Sequence, residues 1–199
     1  MRLQSNDFDF RRAAAFVMPP PYAAGFIIRQ EQFPKQAAIT NCLMFSKGGG
    51  YTTNCQTCVI ANELRRRGFD VSAQENTGKG SAPYDLSFKT EKAWLDKDGN
   101  TPRKQKAGGY FYDASLSKNR MKTVQEMTRD MNDLTKAEGR YHIEYFQNRE
   151  YGGGGHIVTL ERMPNGDMRI YDPQNGIIEI WGNLSQKINK GKGVRVLRA

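Results

Sequence analysis

The chain is short of the side chains that most chemistry depends on. Among 199 residues there are only two histidines, His142 and His156, and three cysteines, Cys42, Cys55 and Cys58. Three thiols do not make a disulfide scaffold, and their odd number points to reduced thiols in a cytosolic setting. A single Cys-x-x-Cys, with its histidines far downstream on separate strand patterns, lacks the ligand spacing of a tetrahedral zinc site. It also lacks the strand-helix-strand context of a dithiol redox centre. The pattern therefore calls for no metal and no cofactor. No apolar run approaches the roughly twenty residues that span a bilayer, and Pro19-Pro20-Pro21 cuts off the stretch from Ala13 to Met18 too soon for an ordinary secretion signal. Acidic residues are in deficit, 21 against 30 basic ones, which leaves a net charge of +9. Such an excess suits a soluble basic surface, non-specific contact with nucleic acid, or an acidic protein target. The aromatic and arginine interleaving of a nucleic-acid module is missing.

The length suffices for one well-packed domain. Residues 1–47 carry the triple proline and scattered aromatics and read as an irregular N-terminal arm, with the domain proper over 48–199. A helix is expected from Asn54 to about Arg67, capped by Asn54 and stopped by Gly68, with Cys58, Ala61 and Leu64 inward. A second follows from the recurrence of Met121, Val124, Met127, Met131 and Leu134 at spacings of three and four, with Gly139 as a stop. Residues 74 to about 110 are polar and basic and read as the most mobile stretch, anchored at Ala93-Trp94-Leu95. Phe69 to Ala73 reads as a short strand or a chain leading onto the core. Strands are expected at Arg140 to Phe146, His156 to Met163, Met168 to Tyr171, Ile177 to Trp181 and Gly193 to Leu197. Helices followed by an antiparallel sheet make an α+β fold.

Cys55 stands where a loop turns into the first helix. The leading peptide N–H groups of a helix have no partner and its dipole is positive there, which favours a thiolate. A base must then come from elsewhere, and His156 is the better of the two. It follows Gly152-Gly153-Gly154-Gly155 and opens a strand that a turn at Pro164-Asn165-Gly166-Asp167 folds back into a second, ending at Asp172. Alternate residues of a strand share a face. A two-residue Asn-Gly turn would put Asp172 on the wrong face. A loop one residue longer, such as Asn165-Gly166-Asp167 with a bulge, instead puts His156, Val158 and Leu160 beside Asp172, Ile170 and Met168, and gathers the apolar residues together. Cys55, His156 and Asp172 would then make a nucleophile, base and orienter set. Oxyanion or substrate donors come from the Cys55 N–H and from Asn54, Gln56 or Gln174. His142, alternating in Tyr141-His142-Ile143-Glu144-Tyr145, is expected on a half-exposed strand face with no catalytic part.

Several strings together resemble the papain-fold toxin family described as toxin glutamine deamidases, within the papain-like superfamily. They are Gly49-Gly50-Tyr51 leading into Asn54-Cys55-Gln56-Thr57-Cys58, then Glu63-Leu64-Arg65-Arg66-Arg67-Gly68, Gly155-His156-Ile157-Val158-Thr159-Leu160 and Tyr171-Asp172-Pro173-Gln174. The resemblance covers about residues 48 to 182. It implies a papain-like fold with the catalytic helix packed on the antiparallel sheet, and a thiol amidohydrolase of toxin or effector type. Cys55 would be nucleophile, His156 base and then acid, and Asp172 orienter, acting on a protein glutamine side chain through a thioester. Papain has a Cys-x-x-Cys whose second cysteine is catalytic, so Cys58 stays an alternative nucleophile. The spacing of Asn54-Cys55-Gln56-Thr57-Cys58-Val59 is closer to that of cell-wall peptidases and favours Cys55. The same triad would serve a papain-like cysteine peptidase, and the charge suits a basic, DNA-associated virion or cargo protein of a phage. A toxin implies an immunity protein, residence in the producer's cytoplasm or in a virion, and action in a target-cell cytosol.

Overall fold

A computed structural model describes residues 26–29, 48–67, 69–87, 89–96 and 98–198. Most of the expected arm, Cys42 and the Gly68 helix stop lie outside them. Within the arm, Phe26–Arg29 forms strand β1, paired antiparallel with β2, Asp70–Ala73.

Helix α1 runs over Cys55–Arg66, and its burial exceeds what one apolar stripe would give. Every residue from Gln56 to Leu64 is buried, because the helix packs on the sheet and is covered by the segment holding Trp94 and Leu86. Burying Glu63 requires partners, since a carboxylate removed from water unpaired is very costly. Arg140 supplies them with Nε and Nη2 at 2.7 Å, and Arg67 adds Nε at 3.1 Å.

The described residues between 74 and 110 form more regular structure than their composition suggests. Helix α2, Ala82–Leu86, is capped by the Ser81 hydroxyl. A 3-10 turn follows at Thr90–Ala93, and β3, Gln105–Ala107, adds an edge to the sheet. Leu86, Thr90 and Ala93 are fully buried, so tertiary packing organises a stretch whose composition gave no sign of it. A hairpin of β4, Tyr110–Asp113, and β5, Lys118–Met121, comes next.

Helix α3 is Val124–Leu134. Thr123 and Glu126 form a reciprocal capping box that starts the helix beyond Met121. Met127 and Met131 are fully buried as expected, whereas Met121 stands in β5 and is exposed. Gly139 does not stop α3, which ends at Leu134; it begins β6, Gly139–Phe146, with φ 141°.

The six-stranded sheet has the order β3-β10-β6-β7-β8-β9, antiparallel throughout. Its remaining strands are β7, Gly155–Arg162, β8, Met168–Asp172, β9, Ile177–Ile180, and β10, Val194–Arg198. Trp181, expected to end a strand, opens helix α4, Trp181–Lys187, and its indole N–H donates to Thr128 Oγ1 at 2.9 Å. Two apolar clusters cover the sheet. One joins α1 to Ile157 and Leu197, and the other joins α3 and α4 to Val158, Leu160, Ile170 and Val196.

His142 is buried rather than half-exposed, because its face of β6 lies beneath the α1 layer and Trp94, whose ring meets it edge-on at 5.5 Å. Neither ring nitrogen has a hydrogen-bond partner. Burial, with help from neighbouring cations, lowers its pKa to about 4. An unfolded histidine takes up a proton near pH 6.5 while the folded one refuses it, so stability falls as pH drops from 6.5 to 4. The expected loss is on the order of 3 kcal/mol. His142→Phe keeps the ring packing and removes two orphaned polar atoms. Its unfolding midpoint should match or exceed the wild type's at pH 7, and its decline to pH 4.5 should be much shallower. An equally steep decline would show that His142 is not the responsible group.

Candidate active site

The glycine run before His156 is a shape requirement. Gly152, Gly153 and Gly154 have φ of 95°, 64° and 81°, a left-handed run that side chains resist. With Gln147 N donating to Gly154 O at 2.9 Å, it turns the chain so that β7 opens with Gly155 and His156.

The β7–β8 hairpin has the odd-length loop that the register requires. Leu160 pairs with Ile170 and Arg162 with Met168. Met163 N donates to Asp167 O, which leaves Pro164-Asn165-Gly166 at the tip, with Gly166 at φ 88°. This register brings His156 Nε2 within 2.7 Å of Asp172 Oδ2. Asp172 is held in turn: Oδ1 accepts from the Gln174 and Asn175 N–H groups at 2.9 and 3.3 Å, and Oδ2 from Asn175 Nδ2 at 2.9 Å.

Cys55 and His156 line the same cleft, and the thiol is the second group that acts on the ring. With Nε2 engaged by Asp172, Nδ1 is the nitrogen left for the thiol. Burial alone would lower the histidine's pKa. The hydrogen bonds and charges of Asp172 and Cys55 outweigh it and raise the value to about 10, so the ring is an imidazolium at neutral pH. The ion pair therefore stabilises the fold fully below pH 6.5, and that contribution is lost as pH rises through about 10. Tyr145 meets the His156 ring edge-on at 5.9 Å.

Cys55 is partly exposed and free. Cys58 differs on both counts: it is 1% exposed and disulfide-bonded. The expectation that all the thiols are reduced fails there, and a buried, bonded sulfur is no nucleophile.

Asn54 occupies the N-cap of α1 without capping it. Its Nδ2 donates to Gln74 O at 2.9 Å, and its Oδ1 accepts from Gln174 Nε2 at 3.2 Å. Gln174 Nε2 also donates to Tyr51 O at 2.9 Å. The Gln174 amide thus holds the loop before Cys55 against the loop after Asp172, while the Asn54 amide ties it to the segment that follows β2. Gly50 meets the same segment after β2: a Cβ there would lie 2.1 Å from Asn76 O, so only glycine lets the two approach. Gln56 remains beside Cys55, its carbonyl oxygen turned onto the Thr90 hydroxyl.

A cleft of about 510 Å³ opens onto Cys55 and His156, with Gln56 in its wall and Tyr84, Asp85 and Lys89 also lining it. Sequence reasoning missed those last three, which sit in and after α2 and come to the cleft only through folding. Asn175 had a local signal, since Asp-x-x-Asn-Gly is rich in turn residues. Among the described residues, no cluster of three or more histidine, cysteine, aspartate or glutamate side chains is placed to hold a metal ion, and no helix is long and apolar enough to cross a membrane.

Much of the basic excess is engaged internally. Arg65 Nε donates to Val71 O at 2.6 Å, Arg66 pairs with Glu161 at 2.7 Å, and Lys104 pairs with both Glu91 and Glu144 at 2.6 Å. Arg103 and Lys106 are exposed.

Compared with known families, residues 53–177 match the one described as papain fold toxin 1, glutamine deamidase. Among solved structures, the Salmonella effector SpvD, G161 variant, is similar with a TM-score of 0.48 at 11% identity, over 98% of this chain and 95% of that one. A search of curated proteins found no match.

Proposed function

Because the chain belongs to the papain fold toxin 1 glutamine deamidase family, we propose that it converts glutamine side chains of a protein to glutamate, with Cys55 as nucleophile, His156 as acid and base, and Asp172 as orienter. The observation that carries this reading is the imidazole of His156 held between Asp172 at 2.7 Å and the only free thiol among the described residues.

The thiolate of Cys55 attacks the carboxamide carbon, and negative charge develops on the oxygen. The Cys55 N–H, at a helix start where no carbonyl lies behind it, and the amide of Gln56 in the cleft wall would receive that charge. The imidazolium gives its proton to the amide nitrogen, the C–N bond breaks, and ammonia leaves a thioester. Neutral His156 then takes a proton from water, whose oxygen attacks the thioester carbon; the C–S bond breaks, and glutamate and the thiolate are left. Asp172 keeps Nε2 protonated and the ring in place throughout. As a toxin, the protein would act in the cytosol of a target cell and be held in check by an immunity protein in the producer.

The test is incubation with a bacterial lysate, reading ammonia and peptide masses together. Deamidation predicts ammonia with a gain of about one dalton at glutamine and no new termini. New termini without ammonia would replace it with a cysteine peptidase. A basic target-facing surface is probed at Arg103 and Lys106, because Lys104 is structurally engaged. Reversing those two charges should slow capture of an acidic target without changing the reactivity of Cys55, and an unchanged association rate would remove the idea.

A further inference from the structure

The Gln56 amide lies in the cleft wall yet is 4% exposed, and what holds it comes from three distant parts of the chain. The Thr90 hydroxyl, fully buried in the 3-10 turn, sits between the Gln56 carbonyl oxygen and Glu144 Oε1, the latter at 3.1 Å. Glu144 is 5% exposed on β6. Its Oε1 also accepts from Lys104 Nζ at 2.6 Å, and that ammonium bridges to Glu91 Oε2 at 2.6 Å.

Gln56 needs such a tether for a physical reason. A side-chain amide is nearly symmetric in shape, so packing alone does not decide which end faces the cleft, whereas hydrogen bonding does. Thr90 takes the oxygen end, which leaves the NH₂ end for the substrate. Its one proton is then spent on that oxygen, so Glu144 Oε1, 3.1 Å from the hydroxyl, is held by Lys104 instead, as a carboxylate that has lost most of its water. Desolvated charge of this kind makes the arrangement stiff, because any partner that moves away leaves an unpaired buried group.

We propose that Thr90, with Glu144 and Lys104 behind it, is a positioning residue that holds Gln56 as an oxyanion donor next to Cys55. The inference rests on the nucleophile reading given above. It assigns a role in the chemistry to the polar stretch before residue 110 and to a buried charge that the triad does not use.

The experiment compares two reactions of the same thiol. Acylation of Cys55 by p-nitrophenyl acetate passes through a tetrahedral oxyanion. Alkylation by iodoacetamide is a direct displacement at carbon and forms none. In Thr90→Val, which keeps the shape and loses the hydroxyl, acylation should fall by about 10- to 100-fold while alkylation stays within about threefold. Thr90→Ser should restore acylation. In a Gln56→Leu background, Thr90→Val should have no further effect on acylation, since the two side chains act as one unit.

Equal falls in both reactions would make Thr90 merely structural and overturn the proposal. So would an unchanged acylation rate, or additive losses in the double variant. If Thr90→Val does not fold, Glu144→Gln, which keeps the shape while removing the charge, is read in the same two assays and must show the same split. A wild-type Cys55 inert to both reagents would instead overturn the nucleophile reading, and this inference with it.

Discussion

Cys55→Ser should abolish ammonia release, with a loss on the order of 10⁶-fold, because removing one member of a unit that acts together costs nearly as much as removing all of it. Cys58→Ala should keep turnover per folded molecule, since that sulfur is buried and bonded. Asp172→Asn is the more discriminating variant. The amide can occupy the same space, but it does not favour the ring proton on Nε2 or stabilise the imidazolium, and a fall of about 10⁴-fold is expected. It should also leave a signature in pH. Asp172 contributes to holding His156 at about 10, so the alkaline limb of the activity profile should move to lower pH in Asp172→Asn. An unmoved limb would mean that another group titrates there. Full activity in Cys55→Ser, with loss in Cys58→Ala, would exchange the roles of the two cysteines.

Arg140→Ala should be the most damaging change to stability outside the site, at about 3 to 5 kcal/mol. It removes two charge-assisted hydrogen bonds of 2.7 Å from Glu63, a carboxylate with no exposure, and leaves Arg67 at 3.1 Å as its partner. Burial pushes the Glu63 carboxyl upward, but hydrogen bonding and charge from Arg140, helped by Arg67, win and hold it below the ordinary value. The pair's contribution is therefore present above the unfolded value near 4.5 and is lost as pH falls through the folded one. Chemical denaturation at pH 7 reads the loss. Removing both partners, in Arg140→Met with Glu63→Gln, should restore part of it by leaving no unpaired charge. A single-variant loss below about 1 kcal/mol would mean that water or Arg67 compensates fully.

How far the site was legible can be followed residue by residue. The hairpin parity of His156, Val158 and Leu160 against Met168, Ile170 and Asp172 is a counting argument that fixes the shared face but not the register: the tip is Pro164-Asn165-Gly166, one residue earlier than Asn165-Gly166-Asp167, and Leu160 pairs with Ile170. Cys55 was legible because a helix start has a local signature. Asn54 shows where local reading fails. Its type suits an N-cap, but Gln74 and Gln174 offer its side chain tertiary partners, and those win. His142 fails for a related reason: alternation says which face a residue is on, not what lies over that face.

By itself the sequence determined the α+β class, the places of α1, α3 and five strands, the face parity of the β7–β8 hairpin, and the two residue types that meet across it. These depend on periodicities of a few residues and on turns whose chemistry is local. Only the tertiary structure decided that Glu63 and His142 lie in the interior, that the loop before Cys55 is clasped to Gln174, and that Thr90 and Glu144 reach Gln56. Thirty-four residues separate Gln56 from Thr90 and fifty-four separate Thr90 from Glu144. Such contacts come from the packing of the α1 layer on the sheet, a long-range outcome with no period along the chain that could announce it.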